Sequence, residues 1–292
     1  MCKRAQRFLH SVAPAGTPSD TSTSAETVVV DHLIENRTNK QVMTPRMESG
    51  RLLSTLDDSM TMLITSSIAK KLIAIVNEHK SSVSVPPLGN WKAKGDSELW
   101  SSVLVQISVA GSASSGMAVQ QAVRARGDWY RSLVTSTPRR RLREIHQLLR
   151  SAGVRWASAE LNKCKKTRAA ANNVAVLASY DGPKAYFKGI ANIPQESWRI
   201  AAVADDLTYL KHKGARDLLI GLGLIERAIA FDTRLAGILE RCGARLPDDL
   251  GSNKSKYKAL ESELITKVCE PCGVTGGHFD RILFNRFKTI VV

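Results

Sequence analysis

Apolar residues recur at helical spacing along most of the chain beyond residue 60. Residues 64–79 place apolar side chains on one face and Lys70 and Lys71 on the other, which is the pattern of an amphipathic helix. Similar spacing predicts helices at 100–109, 118–135, 139–151, 156–179 and 197–209. No clean set of alternating strands is present. The pattern therefore predicts an all-α protein of about nine or ten helices.

Turn-forming residues separate these segments. Pro86, Pro87 and Gly89 mark a loop over 84–90, small residues mark a turn over 111–116, and the run Asp181-Gly-Pro183 marks another turn. Asp96 stands where an N-cap is expected before the helix at 100–109.

The first 59 residues differ from the rest of the chain. They are rich in Ser, Thr and Pro and show no sustained period, which predicts a disordered extension before a helical domain over 60–292. The first 19 residues contain Arg4 and Arg7 but no acid, a feature of transit peptides. The alternative, which we favour, is an extension upstream of the true start, because Met60 and Met62 open the first strongly apolar stretch.

Basic residues outnumber acidic ones by 15 in the 292-residue chain. Residues 1–60 hold seven of each sign, so the whole excess lies beyond residue 60, and residues 121–170 alone hold 13 basic and 3 acidic residues. Such an excess favours a polyanionic partner such as nucleic acid, because neutralised phosphates release counterions. The alternative is a basic protein without such a partner.

Composition excludes several classes of protein. Hydrophobic residues make up 43% of the chain, enough for a core. No apolar run is long enough to span a membrane, since the best candidate is broken by Lys70 and Lys71. Five scattered cysteines make no disulfide scaffold, and no secretory segment is evident. We expect an intracellular protein, in the cytoplasm or nucleoid, or in the nucleus if eukaryotic.

Residues 207–235 carry the candidate chemistry. A helix is predicted at 213–222 with Gly223 as its stop, then an extended return at 227–231, then a helix capped by Asp232. The first helix climbs about 16 Å and the extended residues return about 20 Å. Lys213 and Asp232 can therefore lie side by side, as a nucleophile and its electrostatic partner. The alternative is an exposed lysine and an ordinary capping aspartate.

The same residues resemble the helix-hairpin-helix DNA glycosylases, the group that includes endonuclease III and the archaeal 8-oxoguanine glycosylases. In that family a hairpin of the form L-P-G-[IV]-G-x-K-x-A leads into a helix, and an apolar segment and an Asp follow. Here Leu207 begins the hairpin, Lys213 and Ala215 match K-x-A, and the run Ala228-Ile-Ala-Phe-Asp232 matches the apolar approach to the Asp. Residues 256–264 and 278–284 resemble the closing helices of the archaeal branch.

The resemblance implies a fold and an activity. The fold is two packed helical subdomains with a cleft between them. The activity is that of a base-excision-repair DNA glycosylase with AP lyase activity, with Lys213 as Schiff-base nucleophile and Asp232 as electrostatic partner. The implied partner is double-stranded DNA with a damaged base or abasic site, bound by a monomer without a cofactor. A non-catalytic helix-hairpin-helix DNA-binding protein is the alternative.

The resemblance also implies DNA-contacting residues. Arg139, Arg140 and Arg141 form a basic run that can meet phosphates, although a solvated helix start explains that run equally well. The other expected DNA contacts and two expected base-pocket residues are Leu207, Tyr209, Lys211, His212, Arg234, Gln106 and Trp156. Tyr209 and Lys211 replace the two hairpin glycines of the family. Their side chains are predicted to tighten the turn, because glycine adopts positive φ more readily than other residues do.

The cysteines after Asp232 do not match a metal site. The endonuclease III type holds an iron–sulfur cluster with C-x6-C-x2-C-x5-C, whereas Cys242, Cys269 and Cys272 are three ligands at other spacings. Zinc needs about four ligands, and the nearest additional one is His278. We therefore expect no metal.

Two further classes remain as alternatives. One is an RNA-binding or structural protein, in which the basic segment serves as scaffold. The other is a helical recombinase with a tyrosine nucleophile, for which Tyr257 is the available C-terminal tyrosine.

Overall fold

The computed structural model describes residues 63–109, 114–155 and 157–290, which belong to one compact unit, Thr61–Val292. The predicted disordered extension lies outside these residues. The described chain is helical and contains no strand. Its α-helices are α1 Ser66–His79, α2 Asp96–Val109, α3 Ser114–Arg124, α4 Trp129–Thr135, α5 Pro138–Ser151, α6 Lys165–Ala178, α7 Pro183–Ala191, α8 Glu196–Asp206, α9 His212–Leu222, α10 Thr233–Arg241, α11 Lys254–Leu264, α12 Glu270–Cys272 and α13 Gly276–Arg286.

The all-α prediction is confirmed, and the apolar side chains divide between two cores. The first core extends from Trp91 to Ala228 and contains the apolar stripe of α9. The second combines residues 64–83 with residues 229–290. The chain crosses from one core to the other between Ala228 and Ile229, so the segment between α9 and α10 lies at the junction of the two cores.

Several predicted helices have different bounds in the structure. The predicted helix at 118–135 is wrong as one element: it breaks into α3 and α4 around Gly127, which has φ 58°. The helix predicted from residue 156 begins only at Lys165, and the sequence pattern did not predict a helix over the residues of α7. Asp96 is the first residue of α2 rather than its N-cap, and its Oδ1 accepts a hydrogen bond of 2.7 Å from the backbone N of Lys184. A long-range contact thus replaces the expected local one.

The predictions for α9 and the cap of α10 are confirmed. The helix ends at Gly223, whose φ of 66° is left-handed. A Cβ at this position would lie 2.1 Å from the carbonyl oxygen of Pro87, so both conformation and space require glycine here. Residues 227–232 then run without helical structure to Thr233.

Glu261 on α11 holds this connecting segment in place. Its Oε1 accepts hydrogen bonds from the backbone N of Ile229 at 2.8 Å and from Arg216 Nε at 3.0 Å, and its Oε2 accepts from Arg216 Nη2 at 3.1 Å. The hydroxyl of Tyr257 accepts from the backbone N of Phe231 and donates to the carbonyl of Ile229. These contacts fix the approach to Asp232.

Two glycines at the start of α13 allow it to lie against the same segment. A Cβ on Gly276 would be 2.3 Å from the carbonyl oxygen of Arg227. The backbone N of Gly277 donates to the carbonyl of Glu226 at 2.8 Å, and a Cβ on Gly277 would be 3.1 Å from Ile220 of α9. This close approach brings α13 against α9, one turn before Asp280.

Candidate active site

Lys213 lies in the first turn of α9 and forms an ion pair with Asp217, one turn further along the helix. The spacing of four residues places both side chains on the same helix face. Gln106 Nε2, on α2, donates a 3.2 Å hydrogen bond to the same Asp217 oxygen. The Lys213 side chain is 39% exposed and that of Asp217 only 14%, so the amine is partly open to solvent and its carboxylate partner is largely covered.

Asp232 performs the capping role that was predicted for it. Its Oδ1 accepts hydrogen bonds of 2.9 Å from the backbone N of Arg234 and of Leu235 at the start of α10. Among the described residues, the ion pair of Lys213 is with Asp217, not with Asp232. Sequence reasoning missed Asp217, although its position four residues after Lys213 on a predicted helix was a usable signal.

Asp280 on α13 links the two sides of the site. The residue is only 5% exposed. The pKa of this carboxyl group is raised to about 8, mainly by burial and also by nearby Asp217 and Asp232, while Arg281 and Lys213 oppose the shift. Lys213 and Asp232 therefore lie within electrostatic reach of one buried carboxyl. We call Asp217, Asp232 and Asp280 the carboxylate cluster.

The hairpin before α9 contains a non-glycine residue, Tyr209, in a backbone conformation that glycine favours. Tyr209 has φ 76°, in the left-handed region that glycine favours, and is 39% exposed. Leu207 is buried in the first core, so it supports the hairpin from within. The buried side chain of Asn173 donates to the carbonyl of Thr208 at 3.0 Å and accepts from its backbone N at 2.8 Å. These contacts hold the turn despite the side chain at Tyr209.

Lys211 and His212 lie at the start of α9. Lys211 occupies the N-cap position without a side-chain capping bond, and it is exposed. Burial, followed by the charges of Lys254, Arg216 and Lys211, lowers the pKa of His212, with Asp205 opposing. His212 and Arg216 line a cavity of about 340 Å³ that Lys213 does not line. Successive helix positions differ by about 100° around the axis, so this cavity faces a neighbouring side of α9.

The basic run at the start of α5 divides into two kinds of residue. Arg139 and Arg140 are exposed, and Arg140 pairs with Glu144 at 2.7 Å. Arg141 turns inward, where its guanidinium donates to the carbonyls of Leu133, Val134 and Ser136 at the end of α4. Burial lowers the pKa of Arg141. Arg141 therefore has a structural role, whereas Arg139 and Arg140 are exposed on the surface.

The remaining predicted site residues have distinct surroundings. Arg234 lies over the ring of Phe284, with its guanidinium carbon 4.3 Å from the ring centroid. Trp156 lies outside the described residues. Cys269 and Cys272 are buried, and His278 Nε2 contacts the carbonyl of Val83 at 2.7 Å. In the described ranges, no helix has both the length and the apolar character needed to cross a membrane.

Lys213 and the carboxylate cluster together supply groups that suit imine chemistry. A lysine amine can attack an electrophilic carbon once it has lost a proton, and a carboxylate in contact with it can accept that proton. Further carboxylates nearby stabilise a developing cation. Lys213, Asp217 and Asp232 supply these three elements at one junction.

Comparison with known proteins identifies the fold. No protein-family model and no curated protein matches the chain. Three solved structures do, with TM-scores of 0.55 or 0.56. The 8-oxoguanine DNA glycosylase of Thermotoga maritima is 19% identical, covering 77% of this chain and 97% of that one. The 8-oxoguanine DNA glycosylase of Methanocaldococcus jannaschii is 15% identical, covering 77% and 95%.

The third structure is the Methanocaldococcus jannaschii 8-oxoguanine glycosylase/lyase in complex with a 15mer DNA containing 8-oxoguanine, at 16% identity, covering 76% of this chain and 97% of that one. The matches span almost the whole length of each glycosylase. The chain therefore has the helical fold of these proteins.

Proposed function

We propose that the protein is a DNA glycosylase of base-excision repair that also cleaves the strand at the resulting abasic site. The observation that carries the proposal is the position of Lys213 at the start of α9, where its partly exposed amine pairs with a carboxylate. It lies just after the hairpin, on a fold shared with three 8-oxoguanine glycosylase structures. The net charge of +15 supports a DNA partner.

Lys213 is the proposed nucleophile. Its neutral amine forms a bond to the sugar C1′ as the bond from C1′ to the base breaks, and the electron pair leaves with the base. The attached nitrogen passes a proton to Asp217, whose Oδ2 already accepts a hydrogen bond from it. The C1′–O4′ bond then opens, the ring oxygen takes a proton and a protonated imine forms. Loss of a C2′ proton expels the 3′ phosphate and breaks the strand.

Asp232 is the proposed electrostatic partner of the sugar. Positive charge develops at C1′ and O4′ as the base departs, and a fixed carboxylate nearby lowers the energy of that state. The two capping hydrogen bonds hold Asp232 in one orientation before the substrate arrives. This preorganisation means that little rearrangement is needed during the reaction.

The proposed substrate is duplex DNA carrying 8-oxoguanine, since that base is named for all three similar structures. The damaged base must leave the stack to be reached. Phosphate contacts are assigned to Lys211, Arg139 and Arg140, which are exposed, with Tyr209 and Arg234 alongside. We further propose an intracellular monomer.

A panel of duplexes tests the function. We would incubate the protein with DNA carrying 8-oxoguanine, thymine glycol, uracil or an abasic site, with and without borohydride, which reduces the imine to a stable adduct. The expected result is an adduct with the abasic and 8-oxoguanine duplexes that Lys213→Gln abolishes. As a control, Lys188→Gln removes an exposed lysine charge from α7 and should retain the adduct.

The alternative is a DNA-binding protein of the same fold without catalysis. In that case the ion pair with Asp217 gives Lys213 a structural role only. It predicts that the wild-type protein forms no adduct with any duplex, while Lys213→Gln binds DNA as the wild type does. Equal binding to RNA and to undamaged duplex would instead favour a general nucleic-acid-binding role.

A further inference from the structure

We propose that the groove between α8 and α11 is a binding site for a nucleoside monophosphate, which it holds by the phosphate at one end and by the base along an apolar wall. The site is separate from the proposed reaction, because Lys213 does not line this groove. A free mononucleotide and the phosphorylated end of a nucleic-acid strand present the same chemical groups, and the experiments below distinguish them.

The groove is lined by residues of both cores. Ile200 on α8 belongs to the first core, and Leu250 and Tyr257 belong to the second. His212 and Arg216 on α9 line it as well. Its volume is about 340 Å³, and sites for small molecules fall in the range of about 300–1,000 Å³. The groove is therefore large enough for a small organic ligand.

Cations outnumber carboxylates along the groove. Besides His212, the lining residues carry four permanent positive charges and two negative ones, on Arg216, Arg227, Lys254, Lys258, Glu196 and Glu261. After burial, the charges of Lys254 and Arg216 contribute to the lowered pKa of His212, as expected of cations that lie close together. Such crowding favours an anionic ligand, because a bound anion relieves the repulsion.

The two carboxylates of the groove already have partners. The Oε1 of Glu196 accepts a hydrogen bond of 2.9 Å from the backbone N of Glu226, and its Oε2 accepts one of 3.0 Å from the backbone N of Arg227. Glu261 is occupied by two guanidinium N–H groups of Arg216 and by a backbone N–H. Neither glutamate is therefore needed to neutralise the lysines of the groove.

Lys254 and Lys258 are the cations that remain to hold a phosphate. Four residues separate them on α11, so their side chains lie on one helix face, and both are exposed. Within the described ranges, neither lysine forms an ion pair, whereas Arg227 pairs with Glu270 at 3.6 Å. Like charges at this spacing destabilise a helix, and a phosphate between them removes that cost.

Apolar side chains supply the surface for a base. Helix α8 contributes Ile200 and Ala201 to the groove, and Leu250 and Ile265 add to its apolar lining. Sites for small molecules combine such apolar walls with a few polar groups that fix the orientation of the ligand. A nucleoside monophosphate matches both features, whereas inorganic phosphate uses only the lysines and a nucleoside uses only the apolar wall.

Isothermal titration calorimetry of the full chain with deoxyguanosine monophosphate tests the site. We expect binding that Lys254→Gln and Lys258→Gln each weaken by about tenfold or more, because each variant loses a hydrogen bond to a charged group. Ala201→Phe should abolish binding by filling the groove without a change of charge. Lys70→Gln removes an exposed lysine on α1, outside the groove, and should bind as the wild type does. Lys213→Gln should also bind normally, so a failure of the proposed reaction and a failure of this site are separate results.

Further ligands identify what the groove recognises. Deoxyguanosine and inorganic phosphate should each bind at least about tenfold more weakly than the nucleotide, since each lacks one set of contacts. A short single strand with and without a 5′ phosphate reports on strand ends. Tighter binding of the phosphorylated strand than of the free nucleotide, weakened by Lys254→Gln, assigns the site to a strand end, and the reverse order assigns it to the mononucleotide. The proposal is overturned if no phosphate-bearing ligand binds, if inorganic phosphate binds as tightly as the nucleotide, or if the groove variants bind like wild type.

Discussion

The amine of Lys213 is paired with Asp217, one helical turn away, and not with the more distant Asp232. This arrangement separates two tasks that a single aspartate would otherwise combine. In the proposed reaction, Asp217 exchanges a proton with Lys213, and Asp232, fixed by the start of α10, faces the developing positive charge. The predictions below separate these tasks.

Asp217→Asn should slow adduct formation on an abasic duplex by about 10²-fold or more, because proton transfer by a positioned group contributes about 10²–10⁴-fold. The substitution also removes a negative charge that favours the ammonium form. That gain is small, since a pair with a 39% exposed lysine is screened by water. DNA affinity measured by fluorescence anisotropy should change little. A faster variant would show that Asp217 only restrains the lysine.

Asp232→Asn should retain the stability of the protein and lose base excision. Asn caps a helix about as well as Asp, whereas Ala costs about 1 kcal/mol. Asp232→Ala should therefore be both less stable and inactive. Urea denaturation and single-turnover excision of 8-oxoguanine measure the two effects. Wild-type excision by Asp232→Asn would limit Asp232 to its capping role.

Tyr209→Gly should stabilise the protein by about 0.5–1 kcal/mol. A side chain at positive φ costs about 1–2 kcal/mol, and part of the gain is offset by the conformational entropy of glycine. Thr208→Gly is the matched control, because Thr208 has no positive φ and should lose stability. Thermal denaturation measures both. Affinity for duplex DNA should fall in Tyr209→Gly, since an exposed ring next to the proposed phosphate contacts is removed.

Arg216→Met should destabilise the protein by about 3 kcal/mol, because it leaves the largely buried charge of Glu261 without its partner. Glu261 also fixes the backbone of Ile229, so the loss should extend to excision. The double variant Arg216→Met, Glu261→Gln should lose less stability than the sum of the losses in the two single variants. Lys163→Met, which breaks an exposed pair with Glu160, should leave urea denaturation nearly unchanged.

The free energy of unfolding should depend on pH through Asp280. Its pKa rises from 3.8 to about 8 on folding, so the folded state binds this proton more tightly than the unfolded state. The resulting stability is fully present below about pH 4 and is lost as the pH rises towards 8, by at most about 1.4 kcal/mol per pH unit. Wild type should therefore lose stability relative to Asp280→Asn between pH 5 and 8. A constant difference would mean that Asp280 is ionised in the fold.

Local features of the sequence were sufficient for the elements that carry the site. The apolar stripe of α9, its stop at Gly223 and the cap at Asp232 each depend on residues within one or two turns of each other. The prediction failed where distant residues decided the outcome. Lys184 accounts for the role of Asp96, and the turn at Gly127 divides a segment whose apolar spacing looks continuous.

The sequence by itself determined an all-α protein with a large positive charge and the positions of Lys213 and Asp232, because helical periodicity, charge and capping are properties of neighbouring residues. Only the tertiary structure decided which carboxyl meets the lysine and that Asp280 joins them. Asp280 is 63 residues beyond Asp217, and its burial depends on two glycines that let α13 lie against the chain leaving α9. Burial and charge proximity between separate helices have no periodic signature in a single sequence.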